Sequence, residues 1–235
     1  MDLHIAGKTG LVTGASAGIG RAIAKALAAE GVKLAVVARR RQLLESLQAE
    51  IGAPLVIIEC DLIEEDAAAR IAAAALTGLG SVDILVNNAG FGSHGYFHQL
   101  NLDTQLEMIQ LNITSLTHLT HLLLPQMIEK KWGRILNVAS TAAFQPGPMM
   151  AVYYATKAYV LLLSEAISNE LKGTGVSVTA LCPGPTHTQF SKRARVDGMH
   201  LFNENLVMSA MDVAKFGHRA LLDGKAVVVP GLKTK

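Results

Sequence analysis

The chain has 235 residues, half of them hydrophobic and 17% charged, and 21 basic residues against 19 acidic ones give a formal charge of +2. That length suits one large α/β domain, and so apolar a composition excludes a disordered chain and leaves surface for self-association. Beyond Arg39-Arg40-Arg41 and the scattered Lys192, Arg193 and Arg195 there is no dense basic cluster, so general nucleic-acid binding is not indicated.

Met1-Asp2-Leu3-His4 runs straight into a strand-like segment without the basic and long apolar regions of a secretory signal, so no export is expected. Apolar runs such as Tyr159 to Leu163 are too short to span a membrane, and Arg70 interrupts the alanine-rich stretch from Ala67 to Ala75. A soluble, cytoplasmic protein without a membrane partner is the expectation. Cys60 and Cys182, far apart and each ending an apolar run, read as free buried thiols of a reducing compartment.

In chain order, β-rich apolar runs at 10–13, 33–38, 55–59, 84–86, 134–138, 176–181 and 226–229 alternate with helical patterns at 18–30, 41–51, 64–77, 103–129, 150–172 and 211–223. The central runs are continuously apolar rather than alternating, which requires both faces of the sheet to be covered. This predicts a Rossmann-type, doubly wound α/β fold: a seven-stranded parallel sheet with helices on both faces, in a single domain spanning 1–235. No repeat or linker divides the chain. The irregular stretch at about 183–206 lies where such sheets place ligand loops, and a substrate lid is expected there.

Three features carry chemistry on their own. After the first strand, Thr13-Gly14-Ala15-Ser16-Ala17-Gly18-Ile19-Gly20 opens a helix: Gly14 permits a tight turn, and Gly18 and Gly20 let backbone amides approach a pyrophosphate. After the second strand, where an NAD-binding chain places an acid on the ribose, stand Arg39 and Arg40. Arg39, with Arg40 as second candidate, suits a ribose 2′-phosphate, which points to NADP(H). Finally, Tyr153 and Lys157 share one helix face, an arrangement in which the ammonium would lower the phenol's pKa for acid/base work. Tyr154, three residues from Lys157, can also approach it, but only Tyr153 has the four-residue spacing.

The ordered set resembles the short-chain dehydrogenase/reductase family over nearly the whole chain. The glycine turn resembles its T-G-x-x-x-G-x-G, Asp61 its adenine-contacting acid, and Asn87-Asn88-Ala89-Gly90 its N-N-A-G; Asn112, Ser140, Tyr153 and Lys157 reproduce its tetrad, and Pro183-Gly184-Pro185-Thr186-His187-Thr188 its P-G-x-x-x-T. The resemblance implies that Ser140 bonds the substrate oxygen, Tyr153 donates the proton, Lys157 binds the nicotinamide ribose and depresses the pKa of Tyr153, and Asn112 holds a water linking Lys157 to solvent. It also implies cofactor contacts from Gly14, Ser16, Ala17, Gly18, Ile19, Gly20, Arg39, Arg40, Asp61 and Leu62. Asn88, Ala89, Gly90, Tyr153, Lys157, Pro183, Gly184, Thr186 and Thr188 complete that set.

The reaction implied is hydride transfer between NADP(H) and a carbonyl or alcohol. A non-catalytic NADP(H) sensor on the same scaffold is the alternative, but it would be marked by a broken tetrad, and all four residues are present. An epimerase or dehydratase would need sugar or nucleotide recognition that this short substrate region does not advertise. No metal is expected: the pairs His118/His121 and His94/His98 lack a matching carboxylate or cysteine. Phe144, Met149, Met150, Phe190, Met199 and Phe202 surround the expected pocket and suggest an apolar substrate, with His94 and His187 also expected to line it. A homodimer or homotetramer built through the long helices at 103–129 and 150–172 is implied, without help from a C-terminal tail.

Overall fold

A computed structural model describes residues 5–190, 194 and 207–231. Seven parallel strands form one sheet in the order β3-β2-β1-β4-β5-β6-β9: β1 (Thr9–Thr13), β2 (Lys33–Ala38), β3 (Val56–Glu59), β4 (Ile84–Asn87), β5 (Gly133–Val138), β6 (Val176–Leu181) and β9 (Val227–Val228). A separate parallel pair joins β7 (Thr186–His187), within the segment expected to be a lid, to β8 (Met208–Ser209), just beyond it. Most of that segment, with Met199 and Phe202, lies outside the described residues.

The continuously apolar runs are explained by alternation between two cores. Leu11, Ala35, Val37, Leu85 and Ile135 face a core shared with α3 (Ala67–Leu79), α4 (Leu102–Ile109), α5 (Leu116–Glu129) and α6 (Ala151–Glu170). Their neighbours Val12, Leu34, Val36, Val86 and Leu136 face a core shared with α1 (Gly18–Ala29), α2 (Arg41–Ile51) and α7 (Ala210–Asp223).

The helix expected over 103–129 runs unbroken from Leu102 to Glu129 but is not α-helical throughout. Between α4 and α5, residues Gln110–Ser115 form a π-helical turn. The Ser115 hydroxyl lies against the carbonyls of Gln110, five residues back, and of Leu62, the latter on a loop far away in sequence. Such widened turns re-aim side chains inside a helix, and this one carries Asn112.

The chain order reverses between β1 and β4, which are neighbours in the sheet although two strands intervene in sequence. At this switch point the loops leaving the two strands diverge to opposite faces and open a crevice at the carboxyl edge of the sheet.

Candidate active site

The crevice is held open by a stitched pair of loops. The Thr13 hydroxyl donates to the Val86 carbonyl at 3.2 Å and accepts from the amides of Asn88 and Ala89 at 2.9 and 3.1 Å. The Asn88 side-chain amide donates to the carbonyls of Thr13 and Gly14 at 2.9 and 3.2 Å. That amide occupies the space where a side chain on residue 20 would stand: a Cβ on Gly20 would lie 2.3 Å from Asn88 Nδ2 and 2.6 Å from Gly14 O.

Gly14 and Gly18 hold left-handed backbone at φ +65° and +57°, which favours glycine. The first turn of α1 carries no acidic residue, and its N-cap Ala17 makes no side-chain bond. Its leading amides and positive end are therefore available to an anion.

Between the two loops runs a cleft of about 610 Å³. Its phosphate wall comprises Gly14, Ser16, Ala17, Gly18 and Ile19, and its floor Asn88, Ala89 and Gly90. Arg39, Arg40 and Leu62 stand at one end; Ser140, Tyr153 and Lys157 stand at the other, faced by Pro183, Gly184, Thr186 and Thr188. These sequence-expected residues are thus brought together. Gly20, Asp61 and Asn112 lie behind the wall. Asp61 is anchored by the Ile63 amide at 3.2 Å and by Arg39 Nη1 at 3.3 Å, while Arg40 Nη2 donates across the cleft mouth to Gln189 Oε1 at 3.2 Å.

At the closed end, Tyr153 is buried with its ring 5.2 Å from that of Phe190 and edge-on to Tyr154 at 6.1 Å. Gly92 makes this stack possible: a Cβ there would meet Phe190 at 2.9 Å, Tyr153 at 3.1 Å and Met150 at 3.3 Å. Ser140 Oγ accepts from the Ala142 amide at 3.1 Å, starting the short 3-10 turn Thr141–Phe144, and donates to the Pro183 carbonyl at 3.4 Å. Lys157 Nζ donates to the Val138 carbonyl at 2.8 Å and lies 5.8 Å from the Tyr153 ring centre.

The electrostatics correct one expectation. Burial pushes the Tyr153 phenol up to about 12, with the Ser140 hydroxyl opposing the shift, and burial pulls the Lys157 ammonium down to about 8. Lys157 does not lower the Tyr153 pKa below its ordinary value here: both groups are withdrawn from water, and desolvation dominates each shift. At neutral pH this leaves Tyr153 a protonated donor. Cys182, fully buried behind Lys157, is likewise pushed up to about 11 by burial and stays an inert thiol.

Asn112 commits its amide within the protein: Nδ2 donates to the Phe91 carbonyl and to Thr156 Oγ1, both at 3.0 Å, and Oδ1 accepts from the Phe91 amide at 3.2 Å. It braces the loop after β4 against α6, beneath Gly90. A further buried line, from Thr120 through Asn87 and Asn137 to Ser164, ties α5 and α6 to the two central strands beside Val138.

Several expectations about the pocket change. Met150, Tyr154 and Phe190 line it, whereas Phe144 and Met149 are exposed and do not. His94 and His187 do not line it either: the His94 ring is turned inward with Nε2 buried, and His187 is exposed on β7. Tyr154 packs face-on over Gly147, where a Cβ would lie 2.2 Å from its ring. Sequence reasoning missed Gln145 and Gln189 on the wall, and the Val138 carbonyl, which as a backbone group leaves no residue-type signal.

A glycine-walled crevice at a sheet switch point, ending in a half-buried serine beside a buried tyrosine and lysine, defines a doubly wound, nucleotide-dependent oxidoreductase. A family model described as short chain dehydrogenase matches residues 8–198, and the chain belongs to that family. A serine 3-dehydrogenase of Rhizobium radiobacter is 35% identical over 229 residues, which cover 95% of this chain and 91% of that one. A short chain dehydrogenase of Pseudocercospora fijiensis is 38% identical over 191 residues, and this match spans 62% of its length.

Among solved structures, a short-chain dehydrogenase from Sphingobium yanoikuyae in complex with NADPH superposes with a TM-score of 0.88 at 32% identity, covering 97% of this chain and 89% of that one. A 3-ketoacyl-(acyl-carrier-protein) reductase from Brucella melitensis complexed with NADH gives 0.87 at 29% identity, covering 97% and 98%. A nicotinamide dinucleotide is thus the supported cofactor, and the glycine cradle at Gly14, Gly18 and Gly20 fits its pyrophosphate. No described helix is long and apolar enough to cross a membrane.

Proposed function

We propose that the protein is an NADP(H)-dependent reductase of apolar ketones or aldehydes, reversible as an alcohol dehydrogenase. The observation that carries this reading is the cleft itself, lined by Ser140, Tyr153 and Lys157 at one end and by Arg39 and Arg40 at the other. The nicotinamide, when bound, supplies or accepts the hydride. Tyr153 delivers a proton to the carbonyl oxygen, and Ser140 turns its hydroxyl from the Pro183 carbonyl to hold that oxygen. Lys157, fixed on Val138, sets the cationic environment of the phenol and binds the nicotinamide ribose. Met150, Tyr154 and Phe190 supply an apolar wall for the substrate.

The preference for NADP(H) rests on the arginine pair, since the structural neighbours include both an NADPH and an NADH complex. Steady-state assays with a panel of apolar ketones and their alcohols, with serine included, test the reading with each cofactor. Turnover of apolar carbonyls with NADPH preferred over NADH is expected. Binding of NADPH without turnover of any carbonyl would overturn it in favour of a sensor.

We further infer a homo-oligomer, a dimer or tetramer, formed by a second copy on the face of α4 and α6. Leu102, Leu106 and Ile109 are exposed along one side of α4, and Tyr159 and Leu162 along the adjacent α6. A double substitution Leu106→Glu/Leu162→Glu is expected to give monomers in equilibrium sedimentation. A monomeric unsubstituted protein would refute the interface. The free Cys60 and Cys182 support a reducing, cytoplasmic setting.

A further inference from the structure

Arg39 and Arg40 follow the same strand, yet their charges are not equally available. Arg39 pairs with the carboxylate of Asp61, which the Ile63 amide also anchors, so it already has an acidic partner in place. Arg41 pairs with Glu45. Arg40 meets a neutral amide, Gln189 Oε1, at 3.2 Å, and among the described residues no carboxylate pairs with it.

Gln189 is itself held from both sides. Thr188 lies over the glycine turn, close enough that a Cβ on Gly18 would stand 3.0 Å from its methyl, and the Phe190 ring packs at a tilt against Tyr153. One short segment after β6 thus touches the phosphate turn, the arginine at the adenosine end and the proton donor.

Building on the NADP(H) reading, we propose that Gln189 is a cofactor-discriminating residue: its amide oxygen steadies Arg40 at the cleft mouth as an uncompensated cation that receives the ribose 2′-phosphate. A guanidinium has five N–H donors, and one bond to Gln189 leaves an edge of the fork for two parallel bonds to phosphate oxygens. The neutral partner orients the group without cancelling its charge. The order of the two arginines expected from sequence is therefore reversed, with Arg40 as the principal phosphate partner and Arg39 the support that Asp61 holds aside. Choice of cofactor then depends on a residue 149 positions away in the chain, next to the Phe190 that packs against Tyr153.

Calorimetric titration of the full chain with NADPH and with NADH, without substrate, tests this. In Gln189→Glu a carboxylate would pair with Arg40 and repel the phosphate, so NADPH is expected to bind about tenfold or more weakly with NADH affinity unchanged. Gln189→Ala, which only releases Arg40, is expected to weaken NADPH about threefold, a loss of the order of one modest hydrogen bond. Weakened binding of NADPH in Arg40→Ala together with unchanged binding in Gln189→Glu would overturn the role of Gln189 alone. Equal weakening of both cofactors in Gln189→Glu would also overturn it, by showing that the segment as a whole had been displaced. If neither Arg39→Ala nor Arg40→Ala alters the NADPH to NADH ratio, the NADP(H) reading itself falls.

Discussion

Tyr153→Phe is expected to lower kcat by about a thousandfold, within the range for removal of a positioned acid, while NADPH binding measured by titration stays within about twofold. The separation follows from geometry. The phenylalanine keeps the ring that fills the space between Gly92, Met150 and Phe190, so the cleft retains its shape, and only the hydroxyl facing Ser140 is lost. Because burial holds the phenol up near 12, the acid form should persist through the neutral range, and reduction by the unsubstituted enzyme should not lose its donor there. Tyr154→Phe is expected to change kcat by no more than a few-fold, since that ring packs on Gly147. Near-normal turnover in Tyr153→Phe would transfer the proton to Tyr154.

Lys157→Met is expected to abolish useful turnover and yet raise Tm by a few degrees at neutral pH. The buried ammonium titrates at about 8 in the folded chain against 10.5 when unperturbed. Below about 8 both folded and unfolded chains carry the proton, and folding bears the whole desolvation cost of the charge. Between about 8 and 10.5 the folded chain has released it while the unfolded chain still holds it, so stability rises with pH. The advantage of Lys157→Met should therefore shrink across that window. Its lower half is the cleaner part to read, because Tyr153, raised by burial from 10.0 to about 12, acts in the opposite direction above 10. Loss of the bond to Val138 offsets about 1 kcal/mol. Differential scanning calorimetry at several pH values measures the balance, and a variant less stable than the parent at neutral pH would mean that this bond outweighs desolvation.

Much of the sheet was legible because its signal is local. The alternation that sends Ala35 and Val37 to one core and Leu34 and Val36 to the other needs only the two-residue period of a strand. The pairing of Tyr153 with Lys157 needs only the pitch of a helix. What escaped depends on partners distant in sequence. The π-helical turn at Gln110–Ser115 contains neither Gly nor Pro, and one of its anchors is the Leu62 carbonyl. The pairing of Arg39 with Asp61 appears only when β2 and β3 lie side by side. The pKa of Tyr153 depends on how much protein surrounds it, and helix spacing does not reveal that. The histidines show the same limit: Gly-containing loops placed His94 near the pocket in sequence, yet packing turned its ring inward.

Gly20 and Asn88 share one volume, since the asparagine amide stands where any side chain on residue 20 would have to go. A descendant that acquires even a methyl group at 20 must surrender the amide at 88, and with it the bonds that join the loops after β1 and β4. The constraint runs one way: residue 20 is committed to carrying no side chain for as long as Asn88 keeps its place in the seam.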